Sequence, residues 1–131
     1  MLYVWIMLGS ALGGGLRFWV ATTIGNQIGE TFPWGTIIVN ITGSFVIGFF
    51  ATLTGPDGRL LVGSTTRQFV MIGLCGGYTT FSSFSLQTLN LVRNGEVLNA
   101  GANVVLSVTL CLIAVWLGYV AAAMLNQVRG A

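Results

Sequence analysis

The densest chemistry in this chain lies at residues 73–87, Gly-Leu-Cys-Gly-Gly-Tyr-Thr-Thr-Phe-Ser-Ser-Phe-Ser-Leu-Gln. Thr79, Thr80, Ser82, Ser83 and Ser85 crowd their hydroxyls around Phe81 and Phe84. A hydroxyl donates a hydrogen bond without carrying charge, and the edge of an aromatic ring is electropositive while its face is negative. Two ring edges beside Ser and Thr donors suit a small, hard anion. A Lys or Arg at the same point would hold that anion too tightly for rapid passage. Phe81 and Phe84 are three apart and so share one helix face; packing or contact with lipid is the competing reading of the pair.

Two more polar stripes repeat at helical spacing. Thr36, Asn40 and Ser44 recur every fourth residue, as do Asn103, Ser107 and Cys111. The Asn40 amide falls deep in an apolar run, where it is costly unless it bonds another helix or faces water. Arg17 is the one charge deep in an apolar segment. It snorkels to an interface, lines a watery vestibule or holds backbone carbonyls. Other chemistries lack their residues. The chain has no His and no Lys, which removes His-based catalysis and zinc ligation. Cys75 and Cys111 sit in apolar runs and read as buried thiols. Glu30, Asp57 and Glu96, the only acids, all fall in connections.

The elements that must position these groups are membrane helices. Only 6% of the 131 residues are charged and 54% are hydrophobic, against about 25% charged in soluble domains. Four apolar segments are expected, at about 2–24, 35–54, 67–92 and 98–125, making a single all-α domain over 1–131. The first lacks the basic start and cleavage site of a signal peptide and reads as a retained span. Its Gly9, Gly13, Gly14 and Gly15 leave one face nearly bare for another helix; Gly43 and Gly48 offer close-packing points on the second. In the third, the sequence predicts a helix that breaks at Gly76-Gly77 and restarts near Thr79 or Thr80, since Gly weakens helices and Ser or Thr favours helix starts. Irregular backbone at membrane depth survives only against protein, water or an ion, so broken helices are candidate ion sites. Arg59, Arg67 and Arg129 face Arg93, with or without Arg17, across the membrane. That is a weak orientation bias. Four spans are too few to enclose a generous pore in one subunit, so an oligomer is expected.

At these residues the chain resembles the Fluc family of fluoride channels. The resemblance rests on the run at 73–85, on Gly-Gly-Gly-Leu-Arg at 13–17, on Trp-Gly-Thr-Ile-Ile-Val-Asn at 34–40, and on Gly43-Ser44-Phe45. It covers all four spans in order. It implies an antiparallel, dual-topology homodimer of four-helix subunits in the cell inner membrane, exporting fluoride from the cytoplasm and relieving its toxicity. It also implies a structural Na⁺ at the dimer interface. By the same resemblance, Phe81 and Phe84 are pore phenylalanines, Asn40 a pore-facing amide, Ser107 a hydroxyl of the fluoride track, and Arg17 the basic residue of the first helix. Thr80 and Ser83 belong to the same pore. The backbone carbonyls of Gly76 and Thr79, from both subunits, match the Na⁺ ligands. Gln87 departs from the family pattern, where many members carry Glu, and Cys111 stands where some carry a second hydroxyl.

Other classes fit less well. A small proton-coupled exporter needs a carboxylate inside the membrane, and this chain has its acids in loops. A non-transporting assembly protein would use the glycine faces for packing alone. An enzyme would lack the usual general bases.

Overall fold

The computed structural model describes residues 1–130, with side chains to Val128; Arg129, one of the charges counted for orientation, lies outside the described side chains. The described chain is all helical. It has α1 (Leu2–Ile28), α2 (Trp34–Leu53), α3 (Ser64–Gln68), a π-helical stretch (Phe69–Cys75), α4 (Gly76–Tyr78), α5 (Phe81–Arg93) and α6 (Val97–Gly130). Four segments are long and apolar enough to cross a membrane: Leu2–Ile28, Trp34–Leu53, Ser64–Arg93 and Val97–Val128. The chain is thus built as a multi-pass membrane protein.

The helix ends differ from the expected ones for local reasons. Gly25 does not stop α1. Gly29 does, with φ 99° and its N–H turned back to the Gly25 carbonyl, a conformation that costs Gly nothing sterically. The first connection therefore shrinks to residues 29–33, and α2 begins directly after Pro33. The third span starts at Ser64, with Gly63 extended ahead of it. Arg67 thus lies a turn inside the helix. Its Nε donates to Thr54 Oγ1 and its Nη2 to the Ala51 carbonyl, both at 3.1 Å. A cation there satisfies carbonyls that the C-terminal end of α2 leaves open and complements its dipole. The fourth span outruns its expected end because Asn126-Gln127-Val128, though more polar, contains no Gly or Pro to stop the helix. Asn126 then bonds the Thr52 carbonyl and accepts the Arg59 amide, tying α6 to the second connection.

Glycines set how closely the helices approach. A Cβ on Gly9 would lie 2.8 Å from the Phe69 carbonyl oxygen, and one on Gly13 would lie 2.8 Å from the Tyr78 nitrogen. From the other side, a Cβ on Gly77 would meet the Ser10 carbonyl oxygen at 2.6 Å. Thus α1 and the first half of the third span touch backbone to backbone. Gly14 and Gly15, expected on the same face, meet nothing within 4 Å; successive residues turn 100° around a helix, so they point elsewhere. On the opposite side Gly48 lies against Val115, and Gly118 against Phe45, seating α2 on α6. Gly43 makes room for Tyr78 and Thr79.

Gly13→Val should force α1 off the third span at a cost of about 1–3 kcal/mol. Thermal unfolding in detergent should show a clear drop in midpoint. Gly101→Ala, placed where a Cβ meets nothing within 4 Å, should leave the midpoint unchanged or raise it. Equal midpoints for Gly13→Val and the parent would rule out the backbone contact.

Candidate functional site

The site is built around two extended residues in the third span. Thr79 (φ −83°, ψ 160°) and Thr80 (φ −153°, ψ 116°) separate α4 from α5. Gly76 and Gly77, the expected breakpoint, are helical. What leads into the interruption is a widened, π-type coil: the Gly76 N–H reaches back five residues to the Met71 carbonyl as well as to Gly73. Such single-turn widenings recur at functional sites. Thr79 closes the last turn, with its N–H and its Oγ1 both donating to the Cys75 carbonyl at 3.0 and 2.9 Å. Thr80 opens the next helix as its N-cap, its Oγ1 accepting the Ser83 N–H at 3.1 Å.

The backbone freed at the interruption finds partners forty and sixty residues away. In a continuous helix the Thr80 N–H would bond the Gly76 carbonyl. Here it donates to Asn40 Oδ1 at 2.8 Å, while Asn40 Nδ2 donates to the Thr80 carbonyl at 3.1 Å. The Asn40 amide thus pairs with both polar groups of one residue. Phe81 N–H would similarly have bonded the Gly77 carbonyl, which instead accepts Arg17 Nε at 3.3 Å. Arg17 therefore holds a backbone carbonyl, one of the three roles expected of it. The carbonyls of Gly76, Gly77, Tyr78 and Thr79 all stand where the helical donor is lost; for Gly76 the Thr80 N–H turns to Asn40, and for Thr79 the Ser83 N–H turns to the Thr80 hydroxyl.

Two clefts flank the interruption. The first, of about 340 Å³, is lined by Phe81, Phe84, Asn40, Thr80 and Ser107, with Gly76, Thr79 and Cys111 also on its wall. Among the described residues no charged side chain lines it. The Phe81 and Phe84 rings are 5.3 Å apart and tilted by 48°, so they meet at an angle instead of stacking. Phe84 is buried, whereas Phe81 is 77% exposed on the single chain. The second cleft, of about 370 Å³, is more polar than the first, with Arg17, Thr22, Glu30, Thr36, Ser83 and Gln87 lining it beside Phe18 and Phe32. Thr80 lines both. Ser83, expected with the phenylalanines, thus falls on the Arg17 side. Helical spacing explains the division: Thr80, Ser83 and Gln87 make one stripe of α5, and Phe81, Phe84 and Thr88 another.

Two groups have no part in the site as read from sequence, where Gln87 is only a departure from the family pattern. Gln87 Oε1 is buried with no hydrogen-bond partner among the described residues. Thr88 belongs to a hydrogen-bonded series that reaches the first cleft: Thr88 Oγ1 donates to the Phe84 carbonyl at 2.8 Å, Asn103 Nδ2 donates to Thr88 Oγ1 at 2.9 Å, and Ser107 donates to Asn103 Oδ1 at 3.3 Å. Thr88 could have been found from its place on the phenylalanine stripe.

A family model described as "CrcB-like protein, Camphor Resistance (CrcB)" matches residues 4–119, and so reaches all four apolar spans and the residues of both clefts. The chain belongs to this CrcB-like family. Over 129 residues, 98% of each chain, it is 63% identical to a fluoride-specific ion channel FluC of Methylocella silvestris. It is 61% identical, over the same share of both, to one of Opitutus terrae. It is 59% identical to one of Rhodospirillum rubrum, over 97% of this chain and 98% of that one. Identity at this level covers nearly the whole chain, all four spans included.

Asn40→Asp keeps the acceptor for Thr80 N–H but sets a carboxylate against the Thr80 carbonyl. An unmet polar group of this kind costs about 1–3 kcal/mol. The variant should unfold at lower temperature and carry no anion in liposomes, and Asn40→Ala should lose most of its flux. Parent-like stability and flux in both would show that the pairing is dispensable.

Proposed function

We propose that this chain is a fluoride-selective channel that lets F⁻ leave the cytoplasm across the cell inner membrane, relieving fluoride toxicity. The observation that carries it is the first cleft. There, tilted Phe81 and Phe84 rings, the Thr80 and Ser107 hydroxyls and the Asn40 amide converge where no fixed charge is present. Fluoride holds its water tightly, so a pathway must replace hydration with donors that still release the ion. Ring edges and hydroxyls do this by partial charges alone. Arg17, in the more polar second cleft, raises the local anion concentration at the approach. Thr80, shared by the two clefts, is the point of passage between them. The names of the FluC relatives support the same reading.

The working unit in this reading is an antiparallel, dual-topology homodimer. Phe81 stands 77% exposed and Gly76 is exposed on the single chain, and a second subunit would cover both and close the cleft. The Gly76 and Thr79 carbonyls, released from their helical donors, suit a structural Na⁺. Neutral, hard oxygens favour a hard monovalent cation over a transition metal. Two carbonyls from each subunit would make a four-oxygen site, and the ion would supply the positive charge that satisfies them.

Fluoride efflux from liposomes holding the pure protein, followed with a fluoride electrode, tests the function. Rapid fluoride efflux with no chloride efflux is expected. Phe81→Ile and Phe84→Ile keep bulk but remove the ring quadrupole, and each should cut flux by about tenfold or more, the loss of roughly 1.4 kcal/mol or more. Parent-like flux in both would return the rings to packing. Replacing Na⁺ with a large organic cation should weaken the dimer or silence fluoride flux, with no Na⁺ current at any stage; unchanged dimer and flux would remove the ion from the proposal.

A further inference from the structure

The hydrogen-bonded series behind the first cleft has a direction. Thr88 owns one hydroxyl proton, and it is given to the Phe84 carbonyl, which only accepts. The Thr88 oxygen therefore turns lone pairs towards Asn103, which must answer with its Nδ2. That fixes the amide: Oδ1 faces Ser107, and Ser107 spends its only proton on it. Asn103 is 1% exposed and Ser107 6%, so solvent does not rearrange the series. Ser107 lines the first cleft, yet the part of its hydroxyl left for the cleft is the lone-pair side, which repels an anion.

We infer that Asn103 is a positioning residue for the anion pathway, holding the Ser107 proton away from the cleft until an entering anion takes it over. This rests on the reading of the first cleft as the fluoride path. The link lengths point the same way. The two inner bonds, at 2.8 and 2.9 Å, are of ordinary length, and the outer one, at 3.3 Å, is long for a hydroxyl donor. The bond at the cleft is therefore the one that yields. An anion at Ser107 gains a donor only by breaking that bond, so the net gain is small and the ion leaves readily. A freely rotating hydroxyl would bind it more deeply and release it more slowly. Conduction needs sites weak enough to leave, and Asn103 would supply that weakness without touching the ion.

The test reads fluoride efflux against fluoride concentration in liposomes, for the parent and for Asn103→Leu, each with Ser or Ala at position 107. Leu keeps the branched shape of Asn, with two bulkier methyl groups in place of the amide O and NH₂, and leaves the Thr88–Phe84 bond without a competing partner. With Ser107 present, Asn103→Leu should lower the half-saturating fluoride concentration about fivefold, the scale of one hydrogen bond, and lower the maximal rate. With Ser107→Ala, the leucine should no longer shift half-saturation. Thr88→Val, which frees the Asn103 amide to turn its NH₂ towards Ser107, should shift half-saturation in the same direction if Asn103→Leu fails to fold. A leucine effect of equal size with Ser or Ala at 107, or half-saturation unmoved in Asn103→Leu and Thr88→Val, would overturn the positioning role while leaving the channel intact. Absence of fluoride flux in the parent would overturn the channel reading and this inference with it.

Discussion

The pairing of the Asn40 amide with the N–H and carbonyl of Thr80 is the contact on which the structure depends. A helix interrupted inside a membrane exposes polar backbone to a medium that offers no water, at several kcal/mol per unsatisfied group. Asn40 meets both groups of one residue with one side chain, at 2.8 and 3.1 Å. It thereby competes successfully with the Gly76 carbonyl for Thr80. Arg17 takes the next freed carbonyl, at Gly77. The first three spans are thus locked together at one level by polar contacts, and the interruption is a stable feature of the fold.

That lock needs close helices, and the glycines provide the approach. Gly9 and Gly13 of α1 meet the backbone of the third span, and Gly77 meets Ser10 in return. Gly43 leaves space for Thr79 beside Asn40's own helix. On the far side, Gly48 and Gly118 seat α2 against α6, which brings Ser107 to the cleft that Asn40 borders. Small residues and a few polar contacts are the usual means of association where lipid is as apolar as the side chains. In this chain the same residues decide where the open space lies. The cleft is what remains between α2, α5 and α6 once the glycine contacts are made.

Much of this was legible in the sequence, and what was not has a common cause. Length and apolarity give the four spans to within a few residues. The hydroxyl-and-phenylalanine run and Asn40 stand out because polar groups are rare in such helices. The glycines at 76 and 77 misled, because Gly has two uses: it weakens helices, and it permits contact. Gly77 serves contact, against Ser10. The residue that ends the helix is Asn40, forty positions earlier, and no local propensity records that competition. Arg17 was ambiguous for the same reason, its partner lying sixty positions away. The division of Ser83 from Phe81 and Phe84 follows from helical spacing once α5 is known to begin at Phe81, but its start was unknown until the interruption was placed.

The direct measurement of that interruption is residue-resolved amide hydrogen exchange across Thr79–Ser83 in the intact protein. The partners seen here are distinct: Thr79 to Cys75, Thr80 to Asn40, and Ser83 to the Thr80 hydroxyl, while Phe81 and Ser82 sit in the first turn of α5, where backbone donors lack helical acceptors. Slow exchange at Thr79, Thr80 and Ser83 with fast exchange at Phe81 and Ser82 is the predicted pattern, and Asn40→Ala should make Thr80 fast. Uniform protection from Thr79 to Ser83, unchanged in Asn40→Ala, would mean a continuous helix and contradict the structure's central contact.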